Sequence, residues 1–264
     1  MKIKVNGIEV NYQIHGDTAG SAPWVTLSHS LACNLHMWDE QIATLAKRYR
    51  VLAYDTRGHG KSDAPVGAYT LEQLADDAKA LLDALKITRT HWVGLSMGGM
   101  IGQVFALKYP DVLQTLVLCD TTSRYPKEAA AMWAERVKTA TTQGMEPLVA
   151  GTLARWFTEP FRTRGGSRFD EVAAMIRSTP PLGYAGCCQA IPTIDVTDRL
   201  PTIKAPILVI VGEQDAGTPV AMAQAIQANA PGSELVIIPN AAHISNVEQP
   251  EAFERALMAF LARH

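Results

Sequence analysis

The most restrictive feature of this 264-residue chain is the stretch Thr90-His91-Trp92-Val93-Gly94-Leu95-Ser96-Met97-Gly98-Gly99-Met100. The apolar run from Trp92 to Leu95 predicts a short buried strand. Beyond it, Met100, Ile101, Val104, Phe105 and Leu107 fall at helical spacing. A strand that turns straight into a helix leaves one residue, Ser96, at the apex with a strained backbone. Glycines two positions to either side, Gly94 and Gly98, give that turn the room it needs. The serine hydroxyl then projects from the carboxyl edge of a sheet. The first amides of the following helix point at the same spot, where they can stabilise developing negative charge. Ser96 is therefore the candidate nucleophile. A bare Gly-x-Ser-x-Gly string says little; its position between a strand and a helix makes it informative.

The rest of the chain supplies the sheet that such a turn requires. Residues Met1 to Gly16 alternate about an Asn6-Gly7 turn and predict a β-hairpin. Further strands are expected at Trp24–Ser28, Arg50–Asp55, Leu113–Cys119, Pro206–Gly212 and Leu235–Ile238. Helices are expected at His36–Lys47, Leu71–Leu85, Val220–Asn229 and Pro250–Leu261. This order predicts an α/β fold, a mostly parallel sheet with right-handed crossovers and flanking helices. From about Thr122 to Thr193 the alternation stops. Ala129–Thr141, Met145–Phe157 and Phe169–Ser178 read as helices, and Pro180-Pro181 as an interruption. The expected division is a first part of the core over 1–122, an inserted helical cap over 123–193 and a second part of the core over 194–264.

Composition excludes several function classes. Charged residues make up 19% of the chain and the net charge is −2, with no basic run. Neither nucleic acid nor a membrane surface is an expected partner. No apolar stretch approaches the ~20 residues of a membrane span. The N-terminus lacks an apolar signal core, so a cytoplasmic location is expected. Cys33, Cys119, Cys187 and Cys188 show no metal-ligand spacing, and the adjacent pair cannot form an ordinary disulfide without strain. Reduced, buried thiols are expected, with no metal and no cofactor. Oligomeric state is not legible.

A serine becomes a nucleophile only beside a base, and the base needs an acid to orient it. Gly212-Glu213-Gln214-Asp215 follows one predicted strand and Asn240-Ala241-Ala242-His243 follows the last. Asp215 is the preferred acid because it opens an Asp-x-x-Thr-Pro turn; Glu213 and Asp120 are alternatives. His243 is the candidate base. His15, His36, His91 and His264 lie in structural or terminal contexts, His59 sits in a Gly-rich loop that calls for a structural hydrogen bond, and His29 reads as support for a neighbouring loop. Two backbone donors are needed for an oxyanion. The amide of Met97 directly follows the nucleophile. The amide of Leu31, in the loop after the Trp24–Ser28 strand, is the candidate second donor.

Gly94-x-Ser96-x-Gly98, Asp215 and His243, in that chain order, resemble the α/β-hydrolase superfamily. Tyr54-Asp55-Thr56-Arg57-Gly58-His59-Gly60, Arg155-Trp156-Phe157-Thr158, Thr179-Pro180-Pro181-Leu182-Gly183-Tyr184-Ala185-Gly186-Cys187-Cys188 and Ala242-His243-Ile244-Ser245-Asn246-Val247-Glu248-Gln249-Pro250 are similar to 3-oxoadipate enol-lactonases. The resemblance runs nearly end to end. It departs at Ala32-Cys33-Asn34, where that family more usually has glycine, a small hydroxyl residue and an acid. It implies a cofactor-independent hydrolase acting on a small-molecule ester or lactone, with 3-oxoadipate enol-lactone as the substrate. Such a substrate carries a free carboxylate, so a basic residue in the pocket is expected. Arg124 is the candidate, with Arg136 and Arg155 as rivals, and Trp133 and Trp156 as candidate walls. The same scaffold also serves general carboxylesterases, acyl-homoserine lactonases, cofactor-free haloperoxidases or perhydrolases, and receptors that turn over slowly or not at all.

Overall fold

A computed structural model of the protein describes residues 1–17 and 20–264. Eight strands form one sheet: β1 (Lys2–Val5), β2 (Ile8–His15), β3 (Trp24–Ser28), β4 (Arg50–Tyr54), β5 (Thr90–Leu95), β6 (Leu113–Cys119), β7 (Ile207–Gly212) and β8 (Glu234–Ile238). Their spatial order is β1-β2-β4-β3-β5-β6-β7-β8. The β1–β2 and β2–β4 pairs are antiparallel and every later pair is parallel. Strands covered on both faces need apolar side chains throughout, and every residue of β5 and β7 is buried. At the edges β1 alternates, and β8 is half-buried or exposed except at Ile238.

Helices α1 (Asp39–Leu45), α2 (Leu71–Ala84) and α3 (Met97–Lys108) connect the first parallel strands. The Thr70 hydroxyl caps α2 by accepting from the Gln73 amide at 3.0 Å. Leu71, Leu74, Ala78, Leu81 and Leu82 form its buried stripe. The expected helix over His36–Lys47 is shorter: Leu35–Trp38 is a 3₁₀ turn and α1 begins only at Asp39. The Asn34 side chain accepts from the His36 amide and fixes that tighter start.

Between β6 and β7 lie five helices: α4 (Ala129–Gln143), α5 (Glu146–Trp156), α6 (Glu159–Arg164), α7 (Ser167–Ser178) and α8 (Pro181–Ala190). Pro180-Pro181 falls in the break between α7 and α8 and starts α8, with Pro181 at the first helical position, where its missing N–H costs nothing. The two chain segments that bound these helices run side by side. Val196 donates to the Ser123 carbonyl at 2.9 Å, and Arg124 and Asp195 form an antiparallel bridge. Then come α9 (Val220–Asn229), α10 (Ser245–Glu248) and α11 (Pro250–Leu261). No helix among the described residues is long and apolar enough to cross a membrane.

The parallel register lines up one edge. Ser28 pairs with Gly94, Leu95 with Cys119, Cys119 with Ile210, and Gly212 with Ile238. Leu31, Ser96, Asp120, Asp215 and His243 all lie within a few residues beyond those carboxyl ends. In an open parallel sheet that edge is where functional groups converge.

Two glycines make the apex possible. A Cβ on Gly94 would sit 2.1 Å from the Gly98 carbonyl oxygen, and one on Gly98 would sit 2.1 Å from the Ser28 carbonyl oxygen. Both contacts are with backbone, which cannot rotate away. Gly98→Ala should therefore cost more than about 2 kcal/mol, the overpacking range, and lower Tm by roughly 4 °C or more. Gly151 in α5 is the contrast, since its Cβ would meet only an Arg155 nitrogen at 3.5 Å. Gly151→Ala should be neutral or stabilising by up to about 1 kcal/mol. Thermal unfolding of the two variants checks the difference; equal Tm values would remove the steric account of the turn.

Candidate active site

Ser96 adopts φ 56° and ψ −113° at the apex between β5 and α3. Its carbonyl accepts from the Gly99 and Met100 amides, both at 3.0 Å, so α3 begins on the serine itself. The Trp92 indole, fully buried and stacked on Phe105, donates to the Gly98 carbonyl at 3.1 Å and ties that first turn back to β5.

The Ser96 hydroxyl lies 2.9 Å from His243 Nε2, and His243 Nδ1 lies 2.8 Å from Asp215 Oδ2. Asp215 can only accept, so Nδ1 carries the proton and Nε2 is left to accept from the serine. The Asp215 carboxylate takes further hydrogens from the Gly217 amide at 2.7 Å, the Thr218 amide at 3.0 Å and the Thr218 hydroxyl at 2.7 Å. These are the donors that the Asp-x-x-Thr-Pro turn supplies. Burial pushes the Asp215 carboxyl up, but His243 and the Thr218 donors outweigh it and hold it below the ordinary carboxylate value. Burial likewise pushes His243 down; the Asp215 charge and hydrogen bond outweigh it and raise the imidazole above the ordinary histidine value.

The two alternative acids are occupied elsewhere. Glu213 is exposed and accepts from the Asn240 amide at 3.2 Å. Asp120 is fully buried and accepts from the Gly212 amide at 2.8 Å and the Ser245 hydroxyl at 2.5 Å. It thus joins the loop that carries the acid to the loop that carries the base. Burial, and then the Asp215 charge, push its carboxyl well above the ordinary range.

Leu31 lines the cavity above Ser96, and Met97 is buried directly behind the serine. Among the described residues the backbone amides of both have no hydrogen-bond acceptor. Buried amides without partners are rare, and at this position they are free to donate to an oxyanion. The loop bearing Leu31 is held by two histidines. His29 Nδ1 donates to the Ser30 carbonyl at 2.7 Å and Nε2 accepts from the Thr56 amide at 2.9 Å. His59 Nε2 accepts from the Ala32 amide at 2.9 Å. Burial lowers both imidazoles, His59 to about 3 with His29 adding to the effect.

The cavity over Ser96 and His243 has a volume of about 130 Å³. Trp133 from α4 and Trp156 from α5 both line it, and the Trp156 ring lies 6.1 Å from the His243 ring. The expectation for Arg124 is corrected. Arg124 sits on the outside, half exposed, paired with Asp195 and, at 2.7 Å, with Asp198, because the bridge that closes the helical insertion turns it away from the cavity. The rivals Arg136 and Arg155 line the cavity instead. Arg136 stacks over the Trp133 ring at 4.5 Å. Arg155 meets only the Thr152 hydroxyl, at 3.3 Å. Among the described residues neither has a carboxylate partner. Burial, and then the nearby Arg136 charge, lower the Arg155 guanidinium from its ordinary value. Tyr125 and Tyr184 complete the wall. Tyr125 lies in the chain ahead of α4 and Tyr184 inside α8, and only the docking of the helical insertion over the sheet brings the two together.

Comparison with known proteins bears on what this arrangement does. Residues 23–250 match the family described as the alpha/beta hydrolase fold. The chain is 37% identical over 256 residues to 3-oxoadipate enol-lactonase 2 of Acinetobacter baylyi, covering 97% of this chain and 94% of the relative. Among solved structures, the enol-lactonase from Burkholderia xenovorans LB400 superposes with a TM-score of 0.96 at 40% identity, covering 99% of this chain and 100% of the other. A thermophilic esterase from Thermogutta terrifontis, solved with malate bound, superposes with a TM-score of 0.94 at 31% identity, covering 100% and 98%.

Three substitutions test the geometry. Ser96→Ala should cost about three orders of magnitude or more in kcat with the fold intact. Asp215→Asn should be severe, because it favours the wrong His243 tautomer. Asp120→Asn should be mild: its amide oxygen can keep the Gly212 hydrogen while its NH₂ donates to Ser245. The pH profile adds a signed expectation. A base with a raised pKa stays protonated to higher pH, so kcat/KM should reach half its plateau above the ordinary histidine value of about 6.5. A severe Asp120→Asn beside a mild Asp215→Asn would reassign the acid.

Proposed function

This chain belongs to the alpha/beta hydrolase family, and we propose that it uses Ser96, His243 and Asp215 to open a small lactone carrying a free carboxylate. Its relatives support a lactone or ester hydrolase as the general reaction. In the proposed cycle the Ser96 hydroxyl attacks the lactone carbonyl while His243 Nε2 takes its proton. The amides of Leu31 and Met97 receive the oxyanion. His243 then returns the proton to the leaving ring oxygen, and later activates the water that frees the acyl group. Asp215 holds the imidazole in the working tautomer and stabilises its cationic form. Residues 123–193 act in this reading as a cap on a core formed by 1–122 and 194–264.

The observation that carries the acidic substrate is the pair Arg136 and Arg155. Two guanidiniums line one small cavity without a carboxylate to balance them. Charge left unpaired at a partly buried site is costly unless a ligand supplies the counter-charge. A carboxylate on the acyl side of the substrate supplies it, and a guanidinium fork suits it. Such a cavity fits 3-oxoadipate enol-lactone, hydrolysed to 3-oxoadipate in the β-ketoadipate route of aromatic degradation, and the relative of that name favours this substrate. The Thermogutta esterase favours a second reading, a general esterase that tolerates small acids, and the malate in its structure is itself a small carboxylate.

The deciding measurement is a ratio. For wild type, Arg136→Leu and Arg155→Leu, kcat/KM is measured for the enol-lactone and for a neutral p-nitrophenyl ester. Loss of the right arginine should weaken the acidic lactone by about 1.5–3 kcal/mol, the range for hydrogen bonds to charged groups, and hardly affect the neutral ester. Arg124→Leu should leave the ratio unchanged. An unmoved ratio in both cavity variants would replace the acidic-lactone reading by the general esterase.

A further inference from the structure

The motif Ser245-Asn246-Val247-Glu248 follows His243, and the cycle above gives it no work. Its Glu248 is almost fully buried, 4% exposed. One carboxylate oxygen, Oε1, accepts from the Thr158 amide at 3.0 Å and from the Thr158 hydroxyl. The other, Oε2, accepts from the Ala242 amide at 2.8 Å. Thr158 lies in the link between α5 and α6, two residues after the cavity-lining Trp156, and Ala242 directly precedes His243. On the other side of the histidine, the Ile244 amide donates to the Trp156 carbonyl at 3.2 Å. Both neighbours of His243 are therefore bonded, one directly and one through Glu248, to the three residues where α5 leaves the cavity.

We propose that Glu248 is a positioning residue, a carboxylate clamp that makes the cap segment Trp156–Thr158 and the His243 loop move as one body. Asp120 and Ser245 tie the same loop to the sheet, and the Asn246 side chain ties it to α1, donating to Gln41 at 2.9 Å and to the Met37 carbonyl at 3.2 Å. Those contacts fix the loop against the core. The Glu248 and Ile244 hydrogen bonds, with the Trp156 ring beside His243, fix it against the cap. Cap seating over a substrate thereby bears on the line from His243 to Ser96. Misplacing a reacting group by 1 Å can cost about a hundredfold in rate.

A carboxylate is needed here for a reason of hydrogen-bond parity. Both of its oxygens face backbone N–H groups, which can only donate. In Glu248→Gln the side-chain NH₂ must meet either the Thr158 or the Ala242 amide, so one contact becomes donor against donor. Thr158→Val removes the hydroxyl, its hydrogen to Glu248 and its oxygen at the start of α6 together, and changes no charge. Thr158→Ser keeps it, along with the hydroxyl that accepts from the Phe161 amide at the start of α6.

This inference rests on the serine-hydrolase reading above, and its test separates the two. The probe is p-nitrophenyl acetate, a neutral ester, with kcat/KM followed across pH for wild type and each variant. His243 faces Asp215 from the loop after β7, Asp120 from the end of β6 and Arg136 from α4, and Asp215 is the strongest of the groups that raise its pKa. Loosening the loop weakens that contact, so the acid limb moves to lower pH as the rate falls. Glu248→Gln should lower kcat/KM at least about tenfold and shift the limb down. Thr158→Val should do both to a smaller degree, which separates geometry from the loss of Glu248 charge, and Thr158→Ser should match wild type. A role in stability alone would scale activity with the folded fraction and leave the limb where it was. If Glu248→Gln or, should that variant not fold, Thr158→Val keeps the wild-type limb, the clamp is refuted. Turnover surviving in Ser96→Ala removes the hydrolase reading and the clamp with it; an inactive Ser96→Ala beside wild-type-like clamp variants removes the clamp only.

Discussion

The site depends on a backbone contact that excludes a single methyl group. With only a hydrogen on Gly98, the first turn of α3 packs directly on the Ser28 carbonyl at the end of β3. That approach sets the distance between the two parts that must face each other, the amide after Ser96 and the loop that carries Leu31. Gly94, pressed on the Gly98 carbonyl, performs the same service one layer down. Ser96 then has no conformation available except the left-handed one it adopts. Such strain persists only where packing over-determines it. Here the packing is Trp92 against Phe105 of α3, both fully buried. A strained serine and a rigid hydrophobic core are two faces of one arrangement.

Around this frame the polar residues are buried yet largely satisfied, and that gives the loops their precision. Asp120 accepts from the acid's loop and the base's loop, and Asp215 accepts four hydrogens. Arg57 and Asp77, 6% and 5% exposed, pair at 2.6 Å and hold the turn after β4 against α2. Buried pairs of this kind add little net stability, because desolvation offsets attraction. Their effect is to penalise every other arrangement of the loops. In the cavity, by contrast, Arg136 and Arg155 have no carboxylate partner among the described residues: Arg136 lies over the Trp133 ring and Arg155 donates to the Thr152 hydroxyl.

Much of this was legible in the sequence because it is local. Val220–Asn229 and Pro250–Leu261 form helices with the bounds expected, and the edge where Ser96, Asp215 and His243 meet follows from strand ends alone. What was not legible depends on docking. Arg124, Arg136 and Arg155 look alike in a helical insertion; which one faces inward is decided by the bridge to Asp195 and by how α4 and α5 sit over the sheet. Pro180-Pro181 signals a break in either reading, and only the fold shows that the break is the start of α8. Glu248 lies outside any apolar periodicity. Its partners at 158 and 242 come together only when the helical insertion folds back.

A stretch that departs from the enol-lactonase pattern, Ala32-Cys33-Asn34, shows how such a frame absorbs change. Ala32 has φ 59°, the left-handed region in which a Cβ costs roughly 1–2 kcal/mol and glycine is the natural choice. The loop nevertheless holds its shape. His59 takes the Ala32 amide, the Ser30 carbonyl takes the Cys33 amide at 3.2 Å, Asp55 takes the Leu35 amide at 2.8 Å, and His29 holds the Ser30 carbonyl. Each anchor lies outside the three altered residues and binds backbone, so none depends on which side chains the loop carries. Both histidines can serve only while neutral, with one ring nitrogen accepting and the other donating, and burial keeps them so. The loop that carries the Leu31 amide is therefore held by His29 and Ser30 and by Asp55 and His59 in the turn after β4, rather than by the three altered side chains. That separation lets the side chains at 32–34 vary while the backbone of the loop over Ser96 keeps its place.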